Sequence, residues 1–116
     1  MNEKTIIDLP TFEALKEAMG SDFIGELVQT YFEETPQLLD KLRQALGKGD
    51  CDLFRQAAHS IKSTSNSFGA LDFGSQAKEL EMMGRAGNLE GVSTKVEALM
   101  NGYAAVRQAL EELSRG

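Results

Sequence analysis

His59 is the single histidine of a 116-residue chain, and its neighbours decide what chemistry that imidazole could do. Phe54, Ala57, Ala58, Ile61, Ser65 and Phe68 recur at three- and four-residue steps, the spacing that keeps side chains on one face of a helix. Asp52, Arg55, Gln56, His59, Lys62, Ser63 and Asn66 fall on the opposite face. At about 100° per residue, His59 lies about 200° around the helix from Ile61 and is expected to face solvent. An exposed imidazole is mostly neutral at pH 7, which leaves one ring nitrogen free as a nucleophile toward phosphorus. Lys62 stands one turn further on the same face, where its ammonium can meet the oxygens of a phosphoryl group attached to that ring. Alone, each is an ordinary surface residue. Together they read as a nucleophile with a counterion for its anionic adduct.

Other chemistries fit less well. A di-iron helical bundle needs two Glu-x-x-His pairs projecting into its core, whereas the residue three before His59 is Gln56 and the ring is expected to point outward. No metal ligand set is expected. Cys51, the only cysteine, is expected in a turn away from the single candidate base, so neither a nucleophilic pair nor an internal disulfide is available. The chain has no Gly-x-x-x-x-Gly-Lys loop and no glycine-rich dinucleotide fingerprint, which argues against phosphorylation of itself from ATP. Eighteen acids against 12 bases give a net charge of −6, a poor match for nucleic acid or anionic lipid, although one face could still be weakly basic.

The elements that must position His59 read as helices. The chain has the size of one domain, residues 1–116, and 41% apolar with 26% charged residues fits a folded soluble domain and not a disordered or membrane chain. No apolar run approaches a membrane span. The opening MNEKTIIDLP lacks the basic start and apolar stretch of a signal peptide, so a cytoplasmic location is expected. A first helix is expected from Thr11 as N-cap to Met19, stopped by Gly20. A second, capped by Ser21, should turn Phe23, Leu27, Val28, Tyr31, Leu38, Leu39, Leu42 and Leu46 inward, with a kink or break near Glu34 and Thr35 before Pro36. A turn over Gly47–Asp50 leads to a third helix, with Asp50 as its expected cap, running to about Phe68 and ended by Gly69. A fourth is expected from about Leu71 to Arg85, and a fifth from about Asn88 to Ser114 with Leu89, Val92, Val96, Leu99, Tyr103, Val106 and Leu110 on its apolar stripe. Short connections make neighbours antiparallel, so the expected fold is all-α: an up-down-up-down four-helix bundle with a short extra N-terminal helix. Gly74, Ala77 and Gly84 should let the fourth helix approach its neighbour closely.

The stretch Ala58-His59-Ser60-Ile61-Lys62-Ser63-Thr64-Ser65-Asn66-Ser67-Phe68-Gly69-Ala70 resembles the signature of histidine phosphotransfer (HPt) domains. Thr35-Pro36 with Leu38, Leu39 and Leu42 resembles the family's second helix, and Leu80-Glu81 with Gly84-Arg85 its fourth. The resemblance covers about residues 9 to 113. It implies phosphorylation on His59, support from Lys62, and Glu81 as the polar side chain that orients the imidazole, with Gln56, Ser63 and Asn66 flanking the site. It also implies a phosphorelay carrier with no cofactor of its own. The donor or acceptor aspartate and its magnesium ion would belong to receiver domains of response regulators and of a hybrid sensor kinase. A monomer is expected, and the starting Met1 favours a free-standing protein. One departure stands out: the family usually has glycine immediately after the lysine, and this chain has Ser63. That serine keeps open a second expectation, a helical adaptor that binds receiver domains without taking phosphate.

Overall fold

A computed structural model of the chain, described over residues 6–115, contains five helices: α1 (Leu9–Met19), α2 (Ser21–Lys48), α3 (Cys51–Ser67), α4 (Leu71–Arg85) and α5 (Ser93–Arg115). No strand occurs among the described residues. Helices α2 to α5 close a ring in which α3 packs on α2 and α4, and α5 completes it against both; α1 lies across α2 and α3. This is the up-down-up-down bundle with a leading helix that the periodicity and short connections predict. None of its helices, among the described residues, is long and apolar enough to cross a membrane.

Capping side chains set most of the boundaries. Asp8, not Thr11, caps α1: its carboxylate accepts from the Thr11 amide at 3.2 Å and the Thr11 hydroxyl at 2.6 Å, and Pro10 fits the first turn, where an N–H has no helical partner. Ser21 is the first residue of α2 and not its cap; the Gly20 carbonyl takes the amides of Phe23 and Ile24 instead. The buried stripe of α2 is Ile24, Val28, Tyr31, Thr35, Leu39, Leu42 and Ala45. Phe23 is 42% exposed, because the phase set by Val28 and Tyr31 extends back to Ile24. The helix runs unbroken through Pro36. A proline inside a helix costs roughly 3 kcal/mol, and burial of Tyr31, Leu39 and Leu42 at about 1.5–3 kcal/mol each outweighs it. Gly47 and Lys48 complete the last turn of α2, with only Gly49, at φ 68°, in the left-handed cap position. Asp50 accepts the Leu53 amide at 3.0 Å, so Cys51 opens α3 and does not lie in the turn.

The start of α5 also differs. Residues 88–92 are irregular and the helix begins at Ser93. Gly87 and Gly91 both take positive φ, 72° and 69°, and the Asn88 side chain accepts the Glu90 amide at 3.1 Å, a local turn that competes with the helix. Val92 is nevertheless fully buried, and Val96, Leu99, Val106 and Leu110 continue its stripe in the core.

The packing of α4 on α3 places the site. A Cβ on Gly84 would come within 3.0 Å of the Arg55 amide nitrogen and 3.1 Å of its Cα, and one on Gly74 would overlap the Asn66 side chain. Ala77, between them, is fully buried. Across the bundle, the Tyr31 hydroxyl and Ser65 Oγ share a buried hydrogen bond of 2.7 Å that ties α2 to α3. Burial pushes the Tyr31 phenol up to about 12.

Candidate functional site

The apolar stripe of α3, including Phe54, Ala57, Ala58, Ile61 and Ser65, is buried against the core. This turns His59 outward: its side chain is 55% exposed. One side of the ring is nevertheless held. Nδ1 lies 2.8 Å from Oε2 of Glu81, which reaches across from α4. The other oxygen of the same carboxylate, Oε1, lies 2.8 Å from Nζ of Lys62. The Glu81 side chain is only 5% exposed, so a carboxylate that an isolated helix would leave in water is enclosed between three basic groups. Arg85, one turn on along α4, brings Nη2 to 3.4 Å from Oε2.

The electrostatics follow from these contacts. The hydrogen bond from Lys62 holds the Glu81 carboxyl below its ordinary value, burial works against this, and His59 adds to the lowering. Glu81 is therefore ionised at neutral pH and can only accept hydrogen bonds. In the neutral imidazole, a carboxylate facing Nδ1 assigns the ring proton to that nitrogen and leaves the lone pair on Nε2, the atom turned away from Glu81. The arrangement is a solvent-facing nitrogen nucleophile backed by an anion that can stabilise positive charge developing in the ring, with an ammonium alongside to meet negative charge outside it.

The structure thus brings His59, Lys62 and Glu81 together. The three flanking residues behave differently. Ser63 is exposed one turn beyond His59 on the same helix. Gln56 is exposed and donates to Asp52 Oδ2 at 2.8 Å; the hydrogen bond from Arg55 holds the Asp52 carboxyl below its ordinary range. Asn66 packs over Gly74 near the start of α4, at the far end of α3. The sequence marks Arg85 only as part of the Gly84-Arg85 pair on the fourth helix, with no role at the site; its four-residue spacing from Glu81 is the signal for their contact. Among the described residues, no group of three or more His, Cys, Asp or Glu side chains is arranged to hold a metal ion.

Residues 26–116 match the family model described as "Hpt domain". The chain is 29% identical over 101 residues to histidine-containing phosphotransfer protein 4 of Arabidopsis thaliana, covering 85% of this chain and 80% of that one. It is 25% identical over 101 residues to pseudo histidine-containing phosphotransfer protein 2 of Oryza sativa subsp. japonica, covering 85% and 67% of the two chains. The crystal structure of histidine-containing phosphotransfer protein B from Pseudomonas aeruginosa PAO1 superposes with a TM-score of 0.90 at 28% identity, over 97% of each chain.

Proposed function

The chain belongs to the histidine phosphotransfer domain family, whose members serve phosphorelays, and from that premise we propose that His59 accepts a phosphoryl group from a receiver-domain aspartate and passes it to a second receiver. The observation that carries this reading is the Glu81 carboxylate shared between Nδ1 of His59 and Nζ of Lys62, each at 2.8 Å.

The step balances without an external acid or base. The Nε2 lone pair attacks the phosphorus of an aspartyl phosphate, the P–O bond to the aspartate breaks, and the receiver recovers a free carboxylate. The ring keeps its Nδ1 proton and becomes cationic as the P–N bond forms. Glu81, already ionised and in line with that proton, stabilises this charge as it develops, the kind of term that lowers a barrier because it strengthens toward the transition state. Lys62 stabilises the phosphoryl oxygens. In the return step a neutral imidazole leaves, which is a far better leaving group than its anion, so the retained proton serves transfer in both directions. The exposed Nε2 gives a receiver's aspartate room for in-line approach.

On this reading the chain has no cofactor of its own, and the magnesium ion stays with the aspartate of the receiver. Its partners are response-regulator receivers and a hybrid sensor kinase, which it meets as a monomer in the cytoplasm. The likeness to a rice protein named as a pseudo phosphotransfer protein favours one second reading, an adaptor that binds receivers without taking phosphate. Incubation with a receiver domain carrying labelled phosphate separates the two. A carrier takes up the label and yields it to a second receiver, whereas an adaptor forms the complex and remains unlabelled.

A further inference from the structure

The Glu81 carboxylate has three cationic or proton-donating neighbours, and one of them has no part in the transfer step as derived. Lys62 and His59 sit at 2.8 Å, while the guanidinium of Arg85 stands off at 3.4 Å and is 69% exposed. Arg85 is the last residue of α4, next to the Ala86–Gly87 turn, where its charge suits the helix end. An exposed pair at this spacing is ordinarily worth little. Its position beside a buried carboxylate changes the argument.

Lys62 has two claims on its ammonium. Before phosphorylation it neutralises Glu81. A phosphoryl dianion on Nε2 lies on the opposite side of the imidazole from Glu81, and it draws Lys62 away. Without Arg85, Glu81 would then be a nearly enclosed carboxylate with only the Nδ1 proton as partner, a costly arrangement. We propose that Arg85 is a reserve counterion: when Lys62 turns to the phosphoryl group, Arg85 closes on Glu81 and preserves the hydrogen bond from Nδ1 in the phosphorylated state. Its planar fork of five donors can engage the carboxylate from the position it already occupies. Arg85 is a positioning residue on this account, acting on His59 through Glu81. The inference rests on His59 as the phosphoryl acceptor.

Phosphoramidate, a small-molecule donor, can load the full chain without any receiver. Exchange of the His59 Nδ1 proton with water is then followed by NMR in the loaded and unloaded forms of wild type, Arg85→Gln and Arg85→Lys. The expected result is that Arg85→Gln matches wild type when unloaded, because Lys62 still holds Glu81. When loaded it exchanges about tenfold faster, the equivalent of ~1.4 kcal/mol, and Arg85→Lys recovers most of the difference. Equal exchange in loaded Arg85→Gln and loaded wild type overturns the proposal. So does an acceleration of the same size in both forms, which marks a static structural contact. A wild-type protein that loads but yields nothing to receivers would sink the carrier reading and leave this one standing; one that does not load at all removes both.

Discussion

Glu81→Gln replaces a carboxylate by an amide of the same shape at a position where only 5% of the side chain is exposed, so it removes charge while preserving packing. A hydrogen bond to a charged group contributes about 1.5–3 kcal/mol, against about 0.5–1.5 kcal/mol for a neutral one. The bond from Nδ1 should therefore lose about 1–2 kcal/mol as positive charge develops in the ring, and at ~1.4 kcal/mol per tenfold the transfer should slow roughly five- to thirtyfold. A second effect acts in the same direction. An amide has one accepting and one donating end, and Lys62 at 2.8 Å competes with Nδ1 for the oxygen. Where Lys62 wins, the amide NH2 faces Nδ1, the ring proton moves to Nε2, and the nucleophilic lone pair is lost. The assay is single-turnover uptake of labelled phosphoryl from a receiver domain, with circular dichroism as the check on helicity and ring nitrogen NMR as the check on the tautomer. A Gln variant that transfers within about twofold of wild type, below the ~0.4 kcal/mol that such a change represents, would refute the argument that the carboxylate supports the ring.

Three further substitutions follow from the same geometry. Lys62→Ala should slow transfer by a few-fold to about a hundredfold without abolishing it, since a half-sheltered charge–charge hydrogen bond falls between the exposed and buried limits; wild-type rates with every receiver tested would make Lys62 a mere surface charge. Ser63→Gly should hold or raise transfer rates and widen the range of receivers accepted, at a loss of up to ~1 kcal/mol of stability from glycine's poor helix propensity; a uniform fall in rate at unchanged helicity would mean the hydroxyl assists. Gly84→Ala should lower stability in urea unfolding by up to about 2 kcal/mol, because pressing a methyl group into the α3 backbone beside Arg55 costs about 1–3 kcal/mol and alanine's better helix propensity returns only about 1 kcal/mol; a variant more stable than wild type would show that α3 and α4 can separate freely.

Local signals made α3 legible: the Asp50 cap, the apolar stripe from Phe54 to Phe68 and the glycine that follows all act within one or two turns, and the outward aim of His59 and its pairing with Lys62 follow from the same periodicity. The Glu81 contact is different in kind. It joins residues 22 apart in sequence, and it depends on the rotation of α4 against α3 that Gly74, Ala77 and Gly84 permit, so helical pattern alone could not reach it; the family resemblance did. Phe23 keeps a helical step from Leu27, whereas the phase of the buried stripe selects Ile24. The expected start of α5 near Asn88 is too early, because Leu89 and Val92 keep a helical spacing through a segment that two positive-φ glycines and the Asn88 turn hold irregular. An exposed basic residue at a helix end, as Arg85 is, gains meaning only once its four-residue neighbour is known to be a buried carboxylate.

The claim at the centre of the account is that His59 itself carries the phosphoryl group. Wild type and His59→Gln, shown to have equal helicity, are incubated with a receiver domain charged with labelled phosphate, and the recovered chains are treated with acid and with alkali before the label is mapped by peptide analysis. If His59 carries the group, label appears on the wild type alone, on the peptide containing His59, lost in acid and retained in alkali as a phosphorus–nitrogen bond requires. Undiminished label on the Gln variant, or an acid-stable adduct on the wild type, would contradict it.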